Sequence, residues 1–100
     1  MFFVLLKFSS NKTLAPEFMQ AHKDWIKQGF DDGVFLSVGS LKPNSDSEIG
    51  GGAILAHNTS YQDLQSRIKR DPFVIEGIVS ATIIEVSPNQ ADERLKFLLD

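Results

Sequence analysis

The sequence contains no cysteine, which excludes disulfides, thiolate metal ligands and a cysteine nucleophile, and suits a reducing compartment. Histidine is nearly as scarce, occurring only as His22 and His57. A three-histidine zinc site is therefore impossible, and no His and carboxylate residues recur at a recognisable metal-ligand spacing. The expectation is a site without metal or cofactor. Ten Lys and Arg stand against 13 Asp and Glu, a formal net charge of −3, and the basic residues are scattered. That argues against nucleic acid and anionic membrane as partners. Long apolar runs are missing as well. The run Met1–Leu6 has no basic leader, is too short for a signal core and stops at Lys7; it reads as a strand, not a targeting segment. No stretch is long enough to span a membrane, and a cytoplasmic location is expected.

What the chain does hold is apolar surface in regular patterns. Of its 100 residues, 42% are hydrophobic, enough for a single domain with a modest core. That domain is expected to span residues 1–100, with its core in 1–88 and a tail in 89–100. From Leu14 to Phe30 the apolar residues gather on one side of a helical wheel at about 100° per residue. Phe18, Trp25, Ile26 and Gly29 lie on that side, and Glu17, Gln20, Lys23, Asp24 and Lys27 on the other. His22 sits within the apolar stripe, four residues after Phe18 and three before Trp25. An imidazole pressed against the covered surface still has a donor and an acceptor to satisfy, so the remaining chain should supply its partner.

Around this helix the other elements fall in order. Met1–Phe8 carries apolar residues on both alternating faces, as a strand covered on both sides does. Pro16 suits the first helical turn, and Asp31-Asp32-Gly33 closes the helix. Val34–Leu41 is a second strand, with Ser37 and Gly39 forming a shallow polar depression on one of its faces. Lys42–Glu48 reads as a polar loop. Gly50-Gly51-Gly52 lacks the Lys-Ser/Thr of a phosphate loop and precedes a strand, Gly52–His57, rather than a helix. Thr59 or Ser60 caps a second helix whose Tyr61, Leu64 and Ile68 form a narrow inward stripe. Pro72 stops it and forces Asp71 into an extended conformation. Glu76–Val86 is the fourth strand, and Leu95 to Leu99 lie in a short C-terminal helix or tail.

The order strand, helix, strand, strand, helix, strand predicts an α+β, ferredoxin-like βαββαβ fold, with an antiparallel sheet and two helices on one face. No strand carries the basic-aromatic signature that stacks RNA bases in some such folds. Apolar residues on both faces of strands one, two and four require a second cover, for which a homodimer packed through its sheet faces is the economical answer.

One pair of residues carries chemistry. With the two helices side by side, Asp71 falls near His22, where a carboxylate on one ring nitrogen would fix the tautomer and offset the desolvation of the imidazole. Set against this, Asp-Pro is a common helix stop, and Lys69 or Arg70 could neutralise the carboxylate. Ser37 could add a hydroxyl beside Gly39, although nothing marks it as a nucleophile on a strained turn. His57, at a strand end beside Asn58, reads as solvent-facing.

Ala21-His22 before Trp25, Phe35-Leu36-Ser37-Val38-Gly39, Gly51-Gly52, Asp71-Pro72-Phe73 and Glu76-Gly77 together resemble the YCII-related proteins from about Met1 to Pro88. The resemblance implies a dimeric α+β barrel, and its characteristic histidine and aspartate fall on His22 and Asp71 as an active-site pair. Ser40 stands where the family usually has proline. The expected function is that of a cofactor-independent small-molecule enzyme, a lyase or isomerase. His22 would move the proton, Asp71 would orient it, and Ser37 and Gly39 would hold the substrate. The alternative is a non-catalytic dimeric module that binds a small molecule or a partner protein.

Overall fold

The computed structural model describes residues 1–43 and 50–99. Strand β1, Phe2–Phe8, leads through a 3-10 turn at Lys12–Leu14 into helix α1, Ala15–Asp31, with Pro16 in its first turn. Strands β2, Phe35–Ser40, and β3, Gly51–Ala56, follow. The loop expected over Lys42–Glu48 lies largely outside the described residues. Helix α2, Tyr61–Ile68, is capped by Ser60, whose hydroxyl accepts the Asp63 N–H at 3.0 Å. A one-turn helix α3, Pro72–Ile75, precedes strand β4, Val79–Glu85, and a 3-10 helix at Glu93–Leu99 follows.

The four strands pair antiparallel in the order β2-β3-β1-β4, the arrangement expected of the ferredoxin-like fold. Alternation along β1 divides its side chains cleanly. Phe2, Val4 and Leu6 are buried on the helix side with Ile54, Ala56, Leu64, Ile68, Phe73 and Ile78. Phe3, Leu5 and Lys7 face the other way, in register with Leu55, Ala53 and Gly51 on β3 and with Ile84, Thr82 and Ser80 on β4.

Three sequence-based expectations change. The fourth strand begins at Val79 rather than Glu76, because Pro72, barred from continuing α2, starts a new helical turn, and Gly77 at φ +69° then turns the chain before the strand. Its outward face holds only Ile84 as a large apolar residue beside Ser80 and Thr82, and the outward face of β2 is Ser37 and Gly39. The second face is thus an apolar centre with polar flanks, not a continuous apolar sheet. Tyr61, expected to face inward, is 44% exposed, its ring tilted against that of Phe2 with centroids 6.5 Å apart.

Two glycines fix how closely these layers approach. Gly51 has φ +127°, and a Cβ there would strike the Leu6 carbonyl. Gly29 lies buried in α1, where a Cβ would run into the ring of Phe35. That ring cannot swing aside, since Trp25 and Phe30 pack edge-on against it at 5.3 and 6.1 Å. Gly29→Ala should therefore lower stability by about 1–3 kcal/mol in urea denaturation through overpacking, overriding the roughly 1 kcal/mol that alanine gains as a helix former. An unchanged or higher midpoint would contradict this packing of α1 on β2.

Candidate functional site

The site is assembled where the chain turns from α2 into α3. Ile68 accepts the Asp71 N–H at 3.1 Å; Pro72 then ends that path, and Asp71 adopts φ −62°, ψ 123° as the N-cap of α3. Its Oδ1 accepts the Phe73 N–H at 3.0 Å and lies 2.7 Å from Nδ1 of His22. Asp71 is fully buried, and the His22 side chain is 13% exposed. A carboxylate only accepts, so these partners assign the proton to Nδ1 and leave the Nε2 lone pair free. Among the described residues Nε2 has no protein partner, and Oδ2 of Asp71 is buried without one.

Aromatic rings fix the plane of the imidazole. Phe73 stacks flat on it, centroids 3.9 Å apart and planes within 2°, and Trp25 lies further out at 6.0 Å. The Trp25 indole N–H donates to the Arg67 carbonyl at 3.1 Å, tying α1 to α2. The Arg67 guanidinium also reaches Asp32 at 3.0 Å. The Gln28 amide, and then Arg67, hold the Asp32 carboxyl below its ordinary value. A depressed folded-state value means this link is present at neutral pH and is lost as acid titrates the group.

His22 opens onto a cavity of about 320 Å³ between α1 and the sheet. Leu6, Ile54, Phe73 and Val79 make its apolar floor; Met19, Lys23 and Ile26 extend the α1 wall beside His22. Val38, Gly39 and Ser40 on β2, with Phe8, Gly51 and Gly52, complete the rim. The arrangement is an apolar slot lined by the His22 imidazole, with Lys23 and Ser40 among its border residues.

Of the residues singled out from sequence, the structure brings together His22, Asp71 and the backbone of Gly39. It does not bring Ser37. That residue is in register with Leu55 on the outward face, away from the cavity, because an irregularity between Phe35 and Ser37 and the strand's alternation turn Val38 and Ser40 inward instead. Ser40 is thus the β2 serine that lines the cavity, and reading inward positions from Val38 finds it. Lys23 was assigned to the solvent side of the helix; it follows Met19 by four residues and precedes Ile26 by three, which sets it on the stripe's border. The expected stop at Asp71 is a cap as well, so the residue begins one helix as it ends another. His57 is half-buried rather than solvent-facing, edge-on to Phe97 at 5.6 Å. Among the described residues no three His, Cys, Asp or Glu side chains gather as a metal site, and no helix is long and apolar enough to cross a membrane.

Two substitutions separate the duties of Asp71. Asparagine keeps an acceptor for both the Phe73 N–H and the imidazole N–H. Alanine loses the cap, worth about 1 kcal/mol, and leaves a buried donor unpaired at a cost of about 1–3 kcal/mol. Asp71→Ala should thus cost about 2–4 kcal/mol in denaturant unfolding. Asp71→Asn, which keeps both bonds to Oδ1 but buries an amide NH2 where Oδ2 has no partner, should cost less, about 1–3 kcal/mol. Equal losses would contradict the shared role of Oδ1.

No curated protein matches the sequence. Among solved structures, the fold is similar to a 5-chloro-2-hydroxyhydroquinone dehydrochlorinase from Burkholderia phenoliruptrix, determined in complex with 2,5-dihydroxybenzoquinone. The two superpose with a TM-score of 0.63 at 13% sequence identity, over 86% of this chain and 93% of the other, a likeness of fold. The family model for the YCII-related domain matches residues 1–87. With nearly the whole core inside that match, the chain belongs to the YCII-related family.

Proposed function

We propose that this protein is a small-molecule enzyme of the lyase or isomerase type in which His22 transfers a proton on a ring-shaped organic substrate without a cofactor. The observation that carries this reading is the free Nε2 of an imidazole whose other nitrogen is held by a buried carboxylate, on the wall of an apolar cavity. In an elimination, Nε2 takes a proton from the substrate carbon, the C–H electron pair becomes the new double bond, and the leaving group departs with its own pair. Asp71 stabilises the imidazolium so formed and keeps its plane fixed. The Phe73 stack prevents the ring from turning, and Gly39 and Ser40 border the substrate. The name and ligand of the structural neighbour, a dehydrochlorinase bound to a hydroxylated quinone, support this reaction class.

A homodimer accompanies this reading. Phe3 on the inner strand β1 and Ile84 opposite it on the edge strand β4 are 41% and 44% exposed on the uncovered sheet face. A second copy covering that face would bury both. Sedimentation of the unmodified protein at micromolar concentration should give a dimer, and Phe3→Glu should give a monomer; a monomeric unmodified protein would remove this part of the proposal.

The catalytic part is tested by proton exchange. Halogenated hydroquinones and hydroxylated quinones are incubated with the protein in deuterated buffer and followed by NMR for halide loss and ring deuteration. Turnover is expected in the unmodified protein, with a loss of about 10²-fold or more in His22→Gln while binding stays within a few-fold. Full turnover by His22→Gln would rule out His22 as the base.

A further inference from the structure

We infer that the cavity selects a flat ring bearing one anionic oxygen group, a carboxylate or an ionised hydroxyl, and that Lys23 is the residue that recognises this charge. The inference rests on the reading of the cavity as a ligand site and adds the electrical character of the ligand. Among the described residues lining the cavity, Lys23 is the one side chain of fixed charge, and no Asp or Glu lines it. Asp71 stands behind the imidazole, its Oδ1 committed to His22 and Phe73. A cavity bordered by a lysine and, among the described residues, by no carboxylate favours an anion.

The other cations around the cavity are placed differently, Lys12 standing over the Phe8 ring at 5.8 Å from its centroid. Lys27 holds Asp31 at 2.7 Å, and Arg67 holds Asp32 at 3.0 Å. The carboxylate next to Lys23 in sequence, Asp24, accepts a hydrogen bond from Gln20 at 3.0 Å. Among the described residues Lys23 forms no ion pair. It is exposed and lines the cavity together with Met19 and Ile26, a border position where a lysine stem can cover apolar surface while its ammonium stays in water.

The surroundings strengthen the charge. Leu6, Ile54, Phe73 and Val79 wall the slot with groups of low polarity, so the field of an ammonium is screened less there than on an open surface. A volume of about 320 Å³ lies at the small end of ligand pockets, which run from about 300 to 1,000 Å³, and suits one substituted ring. The ligand's ring would lie against the floor with its reacting carbon towards Nε2 of His22. Its anionic oxygen would stay at the mouth beside Lys23, within reach of the Ser40 hydroxyl. Lys23 is then a specificity residue, setting which ring enters and which edge leads.

A matched pair of ligands tests this: 2,5-dihydroxybenzoate and 2,5-dihydroxybenzamide, alike in ring and size and differing in charge. Affinities are measured by calorimetry, with the His22 ring resonances reporting occupancy, for the unmodified protein, Lys23→Gln and Lys23→Glu. The unmodified protein should bind the acid about two- to fivefold more tightly than the amide at low salt, the range of a partly exposed ion pair, with the margin shrinking as salt is added. The preference should vanish in Lys23→Gln and invert in Lys23→Glu, with amide affinity unchanged within twofold. Equal binding of acid and amide that shifts the His22 resonances would overturn the role of Lys23 and leave the cavity reading intact. An acid preference that survives Lys23→Gln would overturn it too. If neither ligand disturbs His22, the cavity reading fails and this inference fails with it.

Discussion

Asp71 accepts two hydrogen bonds through one oxygen, and the geometry of the site depends on that sharing. One bond, from the Phe73 N–H, begins α3 and so brings the Phe73 ring beneath the imidazole. The other, from His22, sets the tautomer and the direction in which the free nitrogen points. Both follow from a single sequence event, a proline immediately after a carboxylate. Pro72 cannot extend α2 but suits the first turn of a helix, and the residue before it must be extended, which is the backbone conformation an N-cap needs. The local stereochemistry of two residues thereby positions a carboxylate, an aromatic ring and, through them, an imidazole on a different helix.

Much of this was legible from sequence because it rests on periodicity. Helix α1 declares itself by its stripe, and His22 stands out within it as a polar group on an apolar face. The antiparallel order follows from the alternation of elements, and the His22–Asp71 pairing from the adjacency of two helices. What escaped was set by features shorter than a period. The single turn of α3 has four residues, too few for any repeat, and the turn at Glu76 and Gly77 that follows it reads as the start of the strand. An irregularity between Phe35 and Ser37 displaced the register of β2 and exchanged Ser37 for Ser40 at the cavity. Lys23 lies on the boundary between stripe and solvent, where a wheel cannot assign a long side chain whose stem and head prefer different surroundings.

The sheet keeps its two tasks apart by parity. On β1 the even-numbered Phe2, Val4 and Leu6 support the core and, through Leu6, the cavity floor. The odd-numbered Phe3 and Leu5 belong to the uncovered face. Gly51, bent against the Leu6 carbonyl, is one of the few points where both surfaces meet in one residue, since it pairs with Lys7 across the sheet and also borders the cavity rim. A change at Gly51 disturbs both; changes at neighbouring β1 residues disturb one.

The burial of Asp71 has a consequence for proton traffic. Its Oδ2 is sealed from solvent, its Oδ1 is occupied, and Nδ1 of His22 is turned inward to meet it. The pair has one gate to the outside, Nε2, and that gate opens into the cavity. A ligand that fills the slot closes it. While the slot is occupied the pair can then trade a proton only with its occupant, and exchange with water waits until the occupant leaves.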